Sequence, residues 1–316
     1  MSNPIARLGW LAVAAETTPG TAATAPTLFI PTKASVKRQK KRVYGDEDRF
    51  TRDVNNVVAD TTRFATVTLK SPWYNDSTAY FLYHFMGADA VTGATPSYTH
   101  ALTLADVPGS FTMWREYNVA AYQFPYGVVE KMSLDFTAAD KVVEADVTAQ
   151  SYFGTKVVTN TFTPVFTTLN PMAAWNTAIK INNVASTVVE DLKVDLSQKV
   201  TPYFTAGSQD PIAFDFADRD AKIEFTARFD DTSILAYFDS TPGTDIALTT
   251  LTLGDLLGGT TYNSLALDFP IVGFDEIDVD ASKEVIVIKA KCTARPGATK
   301  NSLFTATVVN GVAAYA

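Results

Sequence analysis

The sequence of 316 residues has little of what enzymes and secreted proteins commonly use. Its single cysteine, Cys292, excludes an intrachain disulfide, so stability must come from packing or from assembly. The motifs GxSxG, HExxH, GxxxxGK[ST] and GxGxxG are absent. We therefore predict no catalytic residues, no cofactor and no metal.

The few reactive side chains lie in surroundings that favour structural roles. Of the two histidines, His84 lies beside Phe85 on a predicted helix, which favours a packed or exposed side chain over a catalytic base. His100 lies in a predicted strand, and the sequence identifies no partner for it. Cys292 falls in the apolar phase of another strand, which indicates a buried thiol.

Long apolar runs are also absent. No stretch of about 18 apolar residues occurs, so the sequence predicts no membrane-spanning helix. Residues 1–15 hold one basic residue, Arg7, and no apolar segment of signal-peptide length. We expect a protein made and folded in a cytoplasm. An outer-membrane protein is disfavoured, because regular ten-residue strands are also few.

The residues that are present favour a β-rich core. Apolar residues make up 47% of the chain, and it contains 20 Phe and 13 Tyr, residues that fit pleated sheets. The net charge of -8 and the pI near 4.8 argue against a protein that holds nucleic acid tightly.

One block occurs twice, as an alternating strand followed by a short amphipathic helix. The first copy is a strand at 60–70 and a helix at 76–86, and the second is a strand at 218–229 and a helix at 231–238. The apolar stripes of the helices are Phe81, Leu82 and Phe85, then Ile234, Leu235 and Phe238. We expect Asp, Ser or Thr side chains to cap both helices and Gly87 to end the first.

Two hairpins follow at matching points. In the first, Met132, Leu134 and Phe136 alternate with polar residues, the turn is 138–141, and Val143, Ala145 and Val147 return. The second runs from Ile277 through a turn at 281–283 to Thr293. Shorter strands are predicted at 97–104, 111–117, 247–253 and 264–269. This order repeats at an offset of roughly 145–160 residues, which indicates an internal duplication.

The domain organisation follows from that order. We expect an N-terminal arm plus a first unit at 1–153, a connector at 154–187 and a second unit at 188–316. Residues 1–34 look extended and irregular. The polar passage 45–60 is either an arm that orders on a neighbour or a disordered loop.

Charged residues form three groups. A basic run of Lys37, Arg38, Lys40, Lys41 and Arg42 precedes acidic Asp46, Glu47 and Asp48. We interpret this run as a solvated strand or as a subunit contact that pairs with the acidic residues of a neighbour, since no aromatic residue is interleaved for nucleic-acid binding. The other groups, at 210–220 and 275–280, lack EF-hand spacing, and the polar face of a strand explains them better than calcium.

The opening segment resembles the start of a known family. It reads Leu8-Gly9-Trp10, then Ala14-Ala15-Glu16-Thr17-Thr18-Pro19-Gly20-Thr21-Ala22, then Pro26. It is similar to the Glu-Thr-x-x-Gly-Thr-Ala segment of major tail tube proteins of long-tailed, non-contractile bacteriophages. A strand followed by one helix that ends at Met86-Gly87 fits the same family, and the likeness in element order covers most of the chain.

The resemblance implies a mainly β fold of two tandem β-sandwich units, each with two antiparallel sheets and one flanking short α-helix. Members with one tube domain form hexameric rings, and members with two form trimeric rings with pseudo-sixfold symmetry. The apparent duplication favours a trimer, although the long segment 45–60 departs from a perfect repeat. Hairpins of neighbouring subunits would join into a shared β-barrel, and stacked rings would form a tube for DNA.

The resemblance also implies partners and a location. The partners are further copies of the chain, the tape measure, terminator and tip proteins of the tail, and double-stranded DNA in transit without specific binding. The location is the virion tail, assembled in the host bacterial cytoplasm. An acidic lumen would repel phosphates, and the candidates to line it are Glu144, Asp146, Asp278 and Asp280.

A second hypothesis is a monomeric β-sandwich module that binds carbohydrate or a host surface. It requires exposed aromatic residues, for which Trp73, Trp114 or tyrosines are the candidates. The competing interpretation of these residues is core packing.

Overall fold

The computed structural model describes residues 9–45, 57–137, 141–157, 162–230, 233–240, 243–281, 285–297 and 302–315. The first half contains β1 (Leu11–Ala15), β2 (Leu28–Ile30), β3 (Lys33–Gly45), β4 (Val57–Pro72), α1 (Ala79–Met86), β5 (Gly87–Ala94), β6 (Ser97–Leu104), β7 (Phe111–Glu116), β8 (Ala121–Asp135), β9 (Glu144–Ser151) and β10 (Thr155–Val157). A short 3₁₀-helix at Ala174–Asn176 precedes the second half. The second half contains β11 (Thr177–Ile181), β12 (Val184–Ser186), β13 (Val189–Tyr203), β14 (Ala213–Arg228), α2 (Ser233–Asp239), β15 (Ile246–Gly258), β16 (Thr261–Asp280), β17 (Val287–Arg295) and β18 (Thr305–Asn310).

The fold is mainly β, with antiparallel pairing and two α-helices, which confirms the predicted fold class. The predicted strand 97–104 is β6. The prediction of irregular structure for residues 1–34 is wrong at β2 and at β1, which is a buried strand between β2 and β7. Its run Leu11–Ala14 is buried on both faces, so it lacks the alternation that identifies a half-buried strand.

The first half is a sandwich of two sheets that share one long strand. One sheet has the order β3-β4-β9-β8, and the other has the order β2-β1-β7-β8-β10. The beginning of β8 belongs to the second sheet and its end to the first. The predicted apolar face of the first hairpin is confirmed, because Met132, Leu134, Ala145 and Val147 are all buried.

The second half uses the same pairing order. One sheet is β13-β14-β17-β16, and the other is β12-β11-β15-β16-β18. Here β16 is the long shared strand. The hairpin β5–β6 of the first half joins this second sheet, because β6 pairs with β18.

Even the irregularities of pairing recur. The β3–β4 register shifts between Lys40 and Arg42, and the β13–β14 register shifts between Gln198 and Val200. Two further shifts match in the same way, those of β8–β9 and β16–β17 and those of β7–β8 and β15–β16. A register shift inserts a residue into one strand and bends it, so strands of the two halves bend at equivalent places.

The two halves join through a direct strand pair. The end of β8 pairs antiparallel with β13, with Leu134 opposite Val194 and Met132 opposite Leu196. The result is one continuous sheet in the order β3-β4-β9-β8-β13-β14-β17-β16. A buried Asn75 adds a further link, since its amide donates to the carbonyls of Ser264 (2.9 Å) and Val309 (2.7 Å).

Helix α1 is buried more completely than its predicted stripe requires. Phe81, Leu82 and Phe85 are buried as predicted, and so are Tyr80 and Met86 on other faces, because β5, β6 and β8 all pack against the helix. Burial of such a side chain stabilises a fold by roughly 1.5–3 kcal/mol.

The ends of α1 match the prediction at one terminus only. Gly87 follows the helix with φ of 92°, a left-handed conformation that favours glycine, as predicted. The predicted side-chain cap is absent. The Thr78 hydroxyl instead donates to the Pro72 carbonyl (3.3 Å) and accepts from the Tyr74 N–H (3.2 Å), so the preceding turn uses it.

Helix α2 confirms only part of its predicted stripe. Ile234 is buried and Leu235 is half-buried. The prediction is wrong for Phe238, which is 40% exposed. This end of the helix lines an open cavity together with residues of β16 and β17.

Candidate functional site

The eight-stranded sheet turns one face to the core and leaves the other exposed, as strand alternation requires. On the exposed face, Glu224 lies opposite Lys193 on one neighbouring strand and Lys291 on the other. Asp195 similarly lies opposite Lys222. We call this the mixed-charge face; its charged residues are Lys33, Lys37, Lys70, Lys131, Asp135, Glu144, Asp146, Lys193, Asp195, Asp220, Lys222, Glu224, Glu276, Asp278, Asp280, Lys289 and Lys291.

Several of these charges are joined in ion pairs. Lys70 Nζ lies 2.7 Å from Glu144 Oε2, and the hydrogen bond to Glu144 raises the pKa of Lys70. Lys291 Nζ lies 2.7 Å from Glu276 Oε2, and that bond raises the pKa of Lys291. Exposed ion pairs contribute little to stability. We therefore attribute the alternating charges to what this face contacts and not to the stability of the fold.

The four residues predicted to line a lumen all lie on the mixed-charge face. Asp146 and Asp278 are exposed, and Asp278 lies opposite Lys289 on β17. Glu144 pairs with Lys70, and Asp280 pairs with Lys289 at 2.9 Å. The sequence suggested an acidic face, whereas the structure adds lysines to it, contributed by strands far apart in the chain.

The basic run lies on β3, and part of it is used within the chain. Arg38 Nε donates to the Phe153 carbonyl (3.0 Å), and the guanidinium lies 3.9 Å from the centre of the Phe153 ring. Lys40 and Arg42 both bind Asp60, with Arg42 Nε 2.9 Å from Oδ1. Lys37 and Lys41 are exposed.

The acidic residues predicted to pair with that run are Asp46, Glu47 and Asp48. They lie outside the described residues, so a contact with a neighbour's basic run stays a prediction.

The sheet has a bare edge at each end within the part of the chain that the structure describes. Among those residues, β3 pairs with β4 alone, and residues 274–279 of β16 pair with β17 alone. One end is basic and the other is acidic, with Asp275, Glu276 and Asp278. Exposed strand edges present backbone groups that can pair with another chain.

The opening motif has a structural explanation in Glu16, the only charged residue between Arg7 and Lys33. Its carboxylate accepts four hydrogen bonds of 2.7–2.9 Å, from Gly20 N, Ser110 Oγ, Thr112 Oγ1 and Tyr126 N. Gly20 has φ of 80°, and a Cβ there would lie 2.9 Å from the Tyr152 hydroxyl. The motif alone does not reveal this role of Glu16, but a single acidic residue in an otherwise uncharged segment indicates that its carboxylate has a specific partner.

Both histidines are buried and held by hydrogen bonds. His84 Nδ1 donates to the Gly109 carbonyl (2.9 Å), and burial lowers the pKa of His84 to about 4. His100 Nδ1 lies 2.7 Å from Asp89 Oδ2, a partner that the sequence did not identify, and Nε2 lies 2.8 Å from the Val312 carbonyl.

Cys292 is buried, as predicted, and burial raises the pKa of its thiol to about 12. Such a thiol is a poor nucleophile at neutral pH.

Other kinds of site find little support. The described residues contain no group of three His, Cys, Asp or Glu side chains that could hold a metal ion. Trp73 and Trp114, the candidates for a carbohydrate-binding surface, are core residues with 0% and 2% exposure. Of the tyrosines that the hypothesis also offered, Tyr44, Tyr203 and Tyr262 are 50–52% exposed, and these and Trp175, at 74%, remain for it.

A comparison with known families decides between these hypotheses. The sequence model of the family described as phage tail tube protein matches residues 9–310. The chain belongs to this family. The match confirms the resemblance to phage tail tube proteins, without specifying the long-tailed, non-contractile type, and makes the protein a structural component of a phage tail.

Membership of the phage tail tube family implies self-association and contact with other tail proteins. No curated protein matches the chain. No helix in the described residues has the length and apolarity needed to cross a membrane.

Proposed function

We propose that this tail tube protein assembles into rings of three chains, which stack into the hollow conduit for DNA ejection. The observation that carries the proposal is the eight-stranded sheet with a bare edge at each end. Copies joined through both edges close into a barrel, which removes the edges.

We also propose where the tube forms and which tail proteins it contacts. It forms in the host cytoplasm and joins the tape measure, terminator and tip proteins. No catalytic step or cofactor takes part.

Three chains per ring follow from a tube domain that occurs twice in each chain. The same pairing order and three register shifts at matching positions in both halves support this duplication. Further support comes from the shared strands β8 and β16: residues 121–135 and 266–280 align without a gap and share Phe124-Pro125 with Phe269-Pro270. The hairpin β5–β6 is an insertion in the first half.

The proposed units are those expected from the sequence, 1–153 and 188–316, joined by residues 154–187. Strand pairing extends both units into this connector. β10 pairs with β8 of the first unit, and β11 pairs with β12 and with β15 of the second.

The mixed-charge face is the proposed lining of the conduit, with Glu144, Asp146, Asp278 and Asp280 among its residues. A DNA phosphate that approaches a lysine on this face also meets a neighbouring carboxylate. Tight binding of DNA requires clustered cations that displace its counterions. A surface of alternating charge offers no such cluster, so DNA would slide along it.

Electron microscopy of the purified protein tests the assembly. We expect hollow tubes with a regular ring repeat and three chains per ring. Six chains per ring would contradict the duplication. A protein that stays monomeric at high concentration, with no ordered tubes, would contradict the proposed function itself.

DNA ejection from virions tests the lining. We expect Asp146→Lys to slow ejection while tubes still form, because it adds a cation beside Lys70 and Lys131. The control is Asp239→Lys, at an exposed residue that ends α2 and is not part of the mixed-charge face. Equal ejection rates for both variants would count against this lining.

A further inference from the structure

The strand pair β8–β13 shows which contacts form where two such sheet edges meet within one chain. Its apolar pairs, such as Met132 opposite Leu196, continue the core across the two halves. A buried amide reinforces it, since Gln198 Nε2 donates to the Val129 carbonyl at 2.6 Å. Beside it, Val128 of the first half packs with Val200 and Phe214 of the second.

The pairing registers assign each junction residue a counterpart at the bare edges. Residues 131–135 of β8 and 276–280 of β16 both begin directly after the matching register shift. Val194 of β13 and Val36 of β3 lie opposite matching core residues on β14 and β4. Residues 35–39 are therefore the counterpart of 193–197.

We infer that β3 of one copy pairs antiparallel with residues 276–280 of β16 in a second copy, in the register of β13 with β8. This pairing places Lys37 opposite Asp278, as Asp195 lies opposite Ser133 within the chain. It places Val36 opposite Val279, as Val194 lies opposite Leu134. The inference rests on the proposed self-assembly and specifies its contact.

Charge and exposure at the two edges fit this partner. The β3 edge carries Lys37, and the β16 edge carries Glu276 and Asp278, so the surfaces attract each other. Val279 is 42% exposed, which is unfavourable for a valine in the core phase of a strand. In the proposed register, Val36 of the other copy lies opposite Val279 and covers its side chain.

A cavity beside the β16 edge fits the same register. Its volume is about 410 Å³, and its lining includes Phe238, Gly273 and Arg295. Gly273 is the counterpart of Val128, which Phe214 covers at the internal junction. The counterpart of Phe214 is Val58, which is 55% exposed, so we assign Val58 of the copy that supplies β3 to this cavity.

Paired cysteines test the register in assembled protein. Directly opposite residues have Cβ atoms about 4.5–5.5 Å apart, and diagonal neighbours about 7–8 Å. A disulfide needs Cα atoms within about 7 Å. K37C/D278C should therefore form disulfides between copies under mild oxidation, and Q39C/D278C should not.

Two controls accompany the test. S133C/D195C places the same geometry inside one chain and should form an intrachain disulfide. The single variants K37C and D278C exclude random oxidation, with the native Cys292 buried in all of them.

The outcomes separate the register from the proposed function. A covalent ladder from K37C/D278C, together with less than a tenth of that yield from Q39C/D278C, would support the inference. Cross-linking of the diagonal pair instead, or rings by microscopy without either cross-link, would overturn the inference and leave the proposed function standing. If the unmodified protein forms no rings or tubes, both are wrong.

Discussion

The two halves of the chain repeat one pairing order, yet the first half is covered where the second is open. β13 covers the end of β8, whereas no described strand covers residues 274–279 of β16. Phe85 on α1 is 1% exposed, whereas its counterpart Phe238 on α2 is 40% exposed beside a cavity. The first half is thus completed within the chain, and the second half presents the same kind of surface to its surroundings.

The residues at these two places differ as their exposure requires. On its core-facing side, the covered junction uses neutral side chains, among them Met132, Leu196 and Gln198. At the bare edges their counterparts are Ile277, Arg38 and Lys40. A contact made during folding can be apolar, but an edge that meets water before assembly needs charge to prevent wrong pairing. The charged side chains of Arg38 and Lys40 therefore distinguish the core-facing side of the β3 edge from that of the covered junction.

Alanine substitutions at the matched residues Met132 and Ile277 measure most directly how much more the covered edge is buried than the bare edge. Met132 is 1% exposed, so Met132→Ala should lower the free energy of unfolding by about 2–5 kcal/mol. Ile277 is only half-buried, so Ile277→Ala should cost less than about 2 kcal/mol in the dilute chain. Urea denaturation of unassembled protein measures both. Equal losses would mean that the two edges are equally covered.

The protonation of His84 indicates whether water reaches the interior of the first half. Its pKa is about 4 in the fold and 6.5 as the reference value, so the unfolded chain binds more protons between these values. This contribution to stability is complete above pH 6.5 and falls by about 3 kcal/mol as the pH decreases to 4.

A comparison with His84→Asn isolates that effect from the titration of carboxylates, because Asn keeps a donor near the Nδ1 position. Unfolding curves at pH 7 and 4.5 should show the wild type losing more stability than the variant. Parallel losses would indicate that water reaches His84, and hence that α1 is less closed than its packing indicates.

A substitution at Glu16 tests whether its four hydrogen bonds stabilise the packing of the opening segment. Glu16→Gln replaces one of two accepting oxygens by a donor, so two of the four N–H and O–H groups lose their acceptor. We expect a loss of about 1–3 kcal/mol in the free energy of unfolding. The exposed Glu190 provides the control, and Glu190→Gln should change that free energy by less than about 0.5 kcal/mol. A similar effect at both sites would mean that the motif does not hold the segment.

Local patterns predicted much of this fold, and long-range contacts account for what they missed. The faces of the first hairpin followed from alternation, because a strand's side-chain period is a property of the strand alone. β1 was missed because a strand buried on both faces has no period to detect. The pairing of β8 with β13 brings together segments that are far apart in the chain, as does the mixed-charge face with its lysines. The sequence of one segment alone does not indicate which other segment it will contact.

Phe238 shows the same limit on α2, since helical spacing predicts which residues share a face but not whether a surface covers it. In the dilute chain, Phe238→Ser should change the free energy of unfolding by no more than about 0.5 kcal/mol, as for most exposed positions. If a second copy fills the adjoining cavity, the same variant should lower the temperature at which assembled tubes dissociate. Light scattering during heating measures that temperature, and Leu256→Ser, at another exposed apolar residue, is the control. A lower dissociation temperature for Phe238→Ser alone would identify the open side of the second half as a surface that assembly covers, whereas equal temperatures for both variants would leave α2 exposed in the tube.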